Sequence, residues 1–242
     1  MARLMLERQA KVIIWDINQA SIDETLSAFS GLGTITGFNV DVSNVDQIEE
    51  KAKEVGVVDV LINNAGIVVG KYFNEHSVGE ISKTVDINVS APMYVAKAFL
   101  EGMLNQNSGH ICNIASSGGL ISNPKMAVYA ASKWAVVGWS DSLRLEMEQM
   151  GKDVRVTTIM PYYINTGMFD GVKSKIPILD PEVAALTIVK AIENNRIMLT
   201  IPGYIYRLTR FSQGVLPFGT LGWVMDSVLG IYKTMEHFTG RK

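Results

Sequence analysis

The chain is poor in the residues that build metal centres and crosslinks. It has one cysteine and three histidines in 242 residues. Cys112 alone excludes an internal disulfide framework and a cluster of thiolates around a metal. Its place inside an apolar run reads as a small core hydrophobe more than a reactive thiol. His76, His110 and His237 are scattered without ligand spacing, so no metal is expected. No repeat, low-complexity tract or linker interrupts the sequence, and a single domain over 1–242 is expected. Neither sign of charge prevails: 22 Lys and Arg stand against 24 Asp and Glu, for a net charge of −2. No global field favours nucleic acid, and no nucleic-acid partner is expected. No secretory signal opens the chain, and a reducing, cytoplasmic setting fits. The longest apolar run, Phe211 to Tyr232, approaches a membrane span, but Pro217, its glycines and Asp226 argue against one.

Hydrophobic residues make up 48% of the sequence, enough for a sizeable core. Residues 2–9 read as the end of a helix. Lys11 to Asp16 is a β-rich run closing on an acid, which reads as a buried parallel strand. Helical pattern follows from Ser21 to Phe29, then a strand at Ile35 to Val40. Ser43 or Asn44 can cap a helix that runs to Val55. Val57 to Ile62 is another buried strand, delivering Asn63-Asn64-Ala65-Gly66. Val78 to Leu104 is helical, with a break near Pro92. Gly109 to Ala115 is an apolar strand opening into small hydroxyl residues. A long helix runs from Met126 to about Glu148. Pro181 to Asn194 has helical spacing, and Ile197 to Ile201 reads as a last strand.

The chemistry centres on Ser116 to Lys133. Tyr129 and Lys133 are four apart near the start of the long helix, which stacks their side chains on one face. An ammonium beside a phenol favours the phenolate and is expected to lower the tyrosine from its ordinary value, giving a general acid/base. Ser116, thirteen residues before Tyr129, stands at a strand's carboxyl end, where open α/β sheets carry their sites. Its hydroxyl can orient a substrate oxygen.

In this order and spacing, Asn63-Asn64-Ala65-Gly66, Asn88, the strand with Ser116, and Tyr129-x-x-x-Lys133 resemble the short-chain dehydrogenase/reductase family over nearly the whole chain. The resemblance implies a doubly wound α/β parallel sheet of Rossmann type, with Val154 to Met160 as its sixth strand. It implies catalytic roles for Asn88, Ser116, Tyr129 and Lys133. Lys133 would also hold the nicotinamide ribose, and Asn88 would kink its helix and help hold a water that connects Lys133 to solvent. Asn88 satisfying nearby backbone is compatible with that role. The cofactor would meet Asp16, Asp41, Val42, Asn63, Ala65, Gly66, Tyr129, Lys133, Pro161, Ile164 and Thr166. Asp41 would take the adenine amino group and Thr166 the nicotinamide carboxamide. Asp16, at the end of a strand, would bind ribose hydroxyls and repel a 2′-phosphate, which argues for NAD over NADP. A strand-end carboxylate that caps the next helix is the alternative. Tyr162 stands where the family has glycine. Asn165 to Phe169 resembles the retinol and 17-beta-hydroxysteroid dehydrogenase branch.

The family's first strand and its glycine-rich pyrophosphate turn do not precede Asp16. Either the natural polypeptide begins earlier, which is the expectation, or this form lacks the pyrophosphate grip. Residues 202–242 form an apolar C-terminal extension. It reads as a flap lining an apolar pocket or as an oligomer face. A peripheral membrane surface, with Arg207, Arg210, Lys233, Arg241 and Lys242 nearby, is the third reading. The expected function is NAD-linked interconversion of an alcohol and a carbonyl on a retinoid- or steroid-like substrate, by a homodimer or homotetramer. The alternative is a non-catalytic relative that binds partners.

Overall fold

Short β-rich runs alternate with helical stretches, and every strand runs parallel to its neighbour. The computed structural model describes residues 1–240, so Arg241 and Lys242 lie outside the described residues. Among the described residues six strands form: β1 (Val12–Asp16), β2 (Ile35–Asn39), β3 (Val60–Asn63), β4 (Gly109–Ile114), β5 (Val154–Pro161) and β6 (Met198–Ile201). The helices between and after them are α1 (Ala2–Leu6), α2 (Gln19–Phe29), α3 (Val45–Val55), α4 (Val78–Val85), α5 (Ala91–Gln106), α6 (Ala127–Gln149), α7 (Pro181–Glu193), α8 (Tyr204–Val215) and α9 (Phe218–Trp223). Local chemistry sets several starts. Asn44, rather than Ser43, caps α3 by accepting from Gln47 N. Asp180 accepts from two amides ahead of Pro181, which as first helical residue has no amide to lose.

The strands fall into two sheets. β1 pairs with β2, and β3, β4, β5 and β6 pair in that order. Among the described residues no backbone pairing joins β1 to β3, so each shows an open edge, and Ile13 and Val60 are each 41% exposed. Side chains bridge the two sheets instead. Trp15 meets Phe99 with ring centroids 5.6 Å apart, and both pack with Val42, Leu61, Ile48 and Val95.

Alternation along β4 feeds both faces. Ile111 packs with Met103 of α5 and Leu143 and Met147 of α6. Cys112 points the other way, into Ile188 and Ile192 of α7, where burial pushes its thiol up to about 12 and makes it an inert core group. His110, in the same strand, meets the Thr157 hydroxyl at 2.7 Å, and burial, with Arg155 nearby, lowers it to about 4.

The expected break in residues 78–104 is a wider turn. A π turn at Asp86–Ser90 separates α4 from α5, with Asn88 inside it and Pro92 in the first turn of α5. Beyond β6 the chain folds back as α8, α9, a π turn at Val224–Val228 and a short 3-10 turn at Ile231–Lys233. Met225, Ile231 and Met235 of this tail are buried. Among the described residues no helix is long and apolar enough to cross a membrane.

Candidate active site

Tyr129 and Lys133 stand one turn apart on the inner face of α6, only 4% and 6% exposed. Lys133 Nζ donates to the carbonyl oxygen of Ile114, at the end of β4, over 2.9 Å. The same nitrogen lies 5.8 Å from the centre of the Tyr129 ring. Ser116 follows β4 in extended backbone and its Oγ accepts from Gly118 N at 3.0 Å. A Cβ on Gly118 would sit 3.4 Å from Ser116 Oγ and 3.5 Å from the Tyr129 ring, so this loop runs directly against the phenol. Gly119 allows the approach. A Cβ there would come within 2.8 Å of the Lys133 carbonyl.

The electrostatics depart from the expected lowering of the tyrosine. Burial raises Tyr129 to about 12; Ser116 works against the rise and Tyr163 adds to it. Burial also lowers Lys133 to about 8. The spacing places the pair correctly, but both groups are desolvated and the amine is directed at Ile114, so burial outweighs attraction. At neutral pH the phenol holds its proton, the form that donates to a substrate oxygen.

Asn88 binds the loop after β3 to this helix. Its Oδ1 accepts from Ile67 N at 2.8 Å, and its Nδ2 donates to Ile67 O at 2.9 Å and to Ser132 Oγ at 3.0 Å. Ser132 in turn donates to the Tyr129 carbonyl at 2.7 Å. Asn88 therefore does satisfy nearby backbone, and it positions Gly66 in doing so. A Cβ on Gly66 would lie 3.3 Å from Asn88 Oδ1 and 3.6 Å from Lys133 Nζ.

The other expected cofactor residues lie where strands end. Asp16 closes β1, is exposed, and accepts from Asn18 N at 2.8 Å; the cap of α2 is Asn18, not Asp16. Asp41 follows β2, and the bonds it accepts from the Ser43 hydroxyl and amide hold its carboxyl low. Val42 turns inward onto the cluster of Ile48 and Phe99. Asn63 closes β3 and donates to Asn113 Oδ1 at 2.8 Å, tying β3 to β4. Ala65 is exposed and Gly66 half-buried beside it. Pro161 ends β5, Ile164 bridges to Leu179, and Thr166 N donates to Ile164 O at 2.8 Å. An exposed acid at one strand end, small residues at the next and a buried amine beyond suit the ribose, backbone approach and nicotinamide ribose of a dinucleotide.

The tail roofs the phenol. Phe169 stands edge-on to Tyr129 with centroids 5.8 Å apart, and Tyr163 stands 4.9 Å from Phe169. Met225, Ile231 and Met235 pack in the same cluster as Tyr129, with Phe238 at its margin. Polar contacts latch the roof. Thr234 Oγ1 receives Asn123 Nδ2 at 2.8 Å and meets Tyr163 Oη at 3.0 Å, and Lys175 Nζ donates to Val228 O at 2.9 Å. Residues 225–238 thus lie packed against the cluster that holds Tyr129. Sequence reasoning missed Ser132, Asn123 and Thr234. A serine three residues after Tyr129 in a helix interior was a faint signal for the first; the contacts across 111 residues of chain from Asn123 to Thr234 left none.

A family profile described as short chain dehydrogenase matches residues 1–177. The chain is 36% identical to mouse Epidermal retinol dehydrogenase 2 over 96% of its own length and 78% of that protein. It is 34% identical to human Estradiol 17-beta-dehydrogenase 11, covering 86% of this chain and 72% of that one. Among solved structures, a short chain dehydrogenase/reductase from Burkholderia phymatum in complex with NAD superposes with a TM-score of 0.74 at 25% identity, over 84% of each chain.

Proposed function

The chain belongs to the short-chain dehydrogenase family, a parallel-sheet, Rossmann-type oxidoreductase that uses NAD(P) on alcohol groups, and on that premise we propose its substrate and the division of labour in its site. The substrate is an apolar alcohol or carbonyl of retinoid or steroid type, and the cofactor is NAD rather than NADP. The named relatives and the apolar cluster around Tyr129 support the first. The exposed carboxylate of Asp16 supports the second.

A bound nicotinamide supplies the hydride acceptor or donor. Tyr129 gives a proton to a carbonyl oxygen, or takes it from a hydroxyl. Ser116 Oγ, beside the same ring, holds the substrate oxygen and keeps it in line with the phenol. Lys133 positions β4 against α6 through Ile114, which holds the helix that carries the phenol beside the Ser116 loop. Asn88 is a positioning residue that fixes Gly66 and, through Ser132, the first turn of α6. The roof excludes water and strengthens these interactions.

The observation that carries this reading is the Tyr129–Lys133 pair on one buried face with the Ser116 loop pressed against it. Purified protein supplied with NADH and a set of retinoid and steroid carbonyls is the test. Turnover that drops by about 10² to 10⁴ in Tyr129→Phe supports the assignment. Undiminished turnover in that variant removes tyrosine from the role.

A further inference from the structure

One acceptor in the wall of the tyrosine cluster has no donor. Among the described residues only two side chains hold a buried polar atom outside any hydrogen bond, His76 and Asn123. His76 lies apart, after the short turn at Phe73–Glu75, with the Phe73 ring centred 6.4 Å from its own. Asn123 stands six residues before Tyr129. It touches Met126, Tyr163 and Thr234, and Met126 and Tyr163 belong to the cluster that holds the phenol. The unpaired atom is Oδ1, shut off from solvent. Native interiors rarely leave an acceptor in that state.

The neighbouring bonds fix which way the amide faces. A threonine hydroxyl has one hydrogen to donate. Thr234 donates it to Ile231 O at 2.9 Å. Toward Asn123 Nδ2 at 2.8 Å and Tyr163 Oη at 3.0 Å, Thr234 Oγ1 is therefore the acceptor. Turning the amide over would set two acceptors against each other. Tyr163 donates its own hydrogen to Thr234 and has none left for Asn123. Met126 offers Asn123 only a sulfur acceptor. The network is short of one donor.

It also borders the reacting group. The Tyr163 ring stands 4.9 Å from Phe169, and Phe169 stands 5.8 Å from Tyr129. We propose that the Asn123 carbonyl receives a second hydroxyl of the substrate, remote from the carbon that exchanges hydride. This rests on the apolar-substrate reading above and narrows it. A molecule of retinol type has a single oxygen, the reacting one, and presents only hydrocarbon to Asn123. A steroid with a hydroxyl on its far ring supplies the donor. A site that hydrogen-bonds a substrate hydroxyl rejects the analogue that lacks it, because its own buried group is then left unpaired. Asn123 thereby selects hydroxysteroids over retinoids.

Equilibrium dialysis of the intact chain, with NADH present, tests this with three steroid ketones. On the ring farthest from the ketone they carry a hydroxyl, a methoxyl or only hydrogen. The hydroxyl compound is expected to bind about tenfold or more tightly than the other two. Turnover measured beside binding separates the two readings: tighter binding of the hydroxyl compound without reduction keeps the subsite and removes the reaction. Asn123→Leu takes away both the acceptor and the bond to Thr234, and the three compounds then bind alike. Asn123→Asp breaks the same bond to Thr234 but keeps an acceptor, and retains the preference. Equal binding of the three compounds to the native chain overturns the proposal. So does an equal loss of preference in the Leu and Asp variants, which assigns Asn123 to the latch alone.

Discussion

Lys133 reaches across from α6 to the carbonyl oxygen of Ile114, and this 2.9 Å bond joins the helix that carries the tyrosine to the strand that delivers Ser116. Removing the amine therefore does two things. Lys133→Met is expected to lower turnover by about 100-fold or more. It also takes the Lys133 donor away from the half-buried Ile114 carbonyl, which costs about 0.5–1.5 kcal/mol in unfolding free energy. Steady-state rates and urea midpoints measured together check it; a variant that lost activity with unchanged stability would contradict the structural half.

Asn88 and Ser132 make a subtler pair. Asn88→Ala frees the Ile67 backbone and the Ser132 hydroxyl, so both stability and turnover fall. Ser132→Ala keeps the Ile67 contacts and is expected to slow turnover less than Asn88→Ala. Equal losses in the two variants would show that the Ile67 contacts do not matter.

Asp16 accepts one backbone bond and remains exposed at the end of β1. Asp16→Ser removes the charge that would face a 2′-phosphate. The ratio of kcat/KM for NADPH to that for NADH is expected to rise by about tenfold or more, roughly one charged hydrogen bond. An unchanged ratio places cofactor choice elsewhere.

His110 sets an acid limit on stability. Burial holds it at about 4 in the folded protein, against about 6.5 in an unfolded chain. Between those values the unfolded state binds more protons, so stability falls as pH drops through that window, and the effect is absent above it. His110→Gln keeps a partner for Thr157 but cannot titrate. The fall in melting temperature from neutral pH to about pH 4.5 should be smaller in that variant.

Thr234 is the latch of the roof. Thr234→Val removes the acceptor for Asn123 and the partner of Tyr163 while keeping the volume, at a cost of about 1–3 kcal/mol. The expected readout is faster proteolytic cutting within residues 225–238, with the rest of the chain intact. Uniform fragmentation would mean that the tail does not open separately.

Much of this architecture is legible without coordinates. The run from Gly109 to Ile114 is apolar and buried along its length, as a strand between two helical layers must be, and Ile111 and Cys112 face opposite layers. The pairing of Tyr129 with Lys133 follows from helical spacing alone. What spacing cannot express is depth: the same two residues on a wet surface would attract, whereas in this interior desolvation dominates both. The latch was equally invisible, since Asn123 and Thr234 meet only after the tail has folded back. Asn88 looked like a misfit in a helix, and the π turn around it gives that misfit a cause.

Phe169 stands edge-on against the ring of Tyr129, and this contact ties recognition to motion. A ligand that reached the ring from that side would have to displace the phenylalanine first. Apparent affinity by that route would be the intrinsic affinity scaled by the fraction of molecules caught ajar. Bulk at the threshold would tune arrival rates while leaving the proton-transfer step untouched.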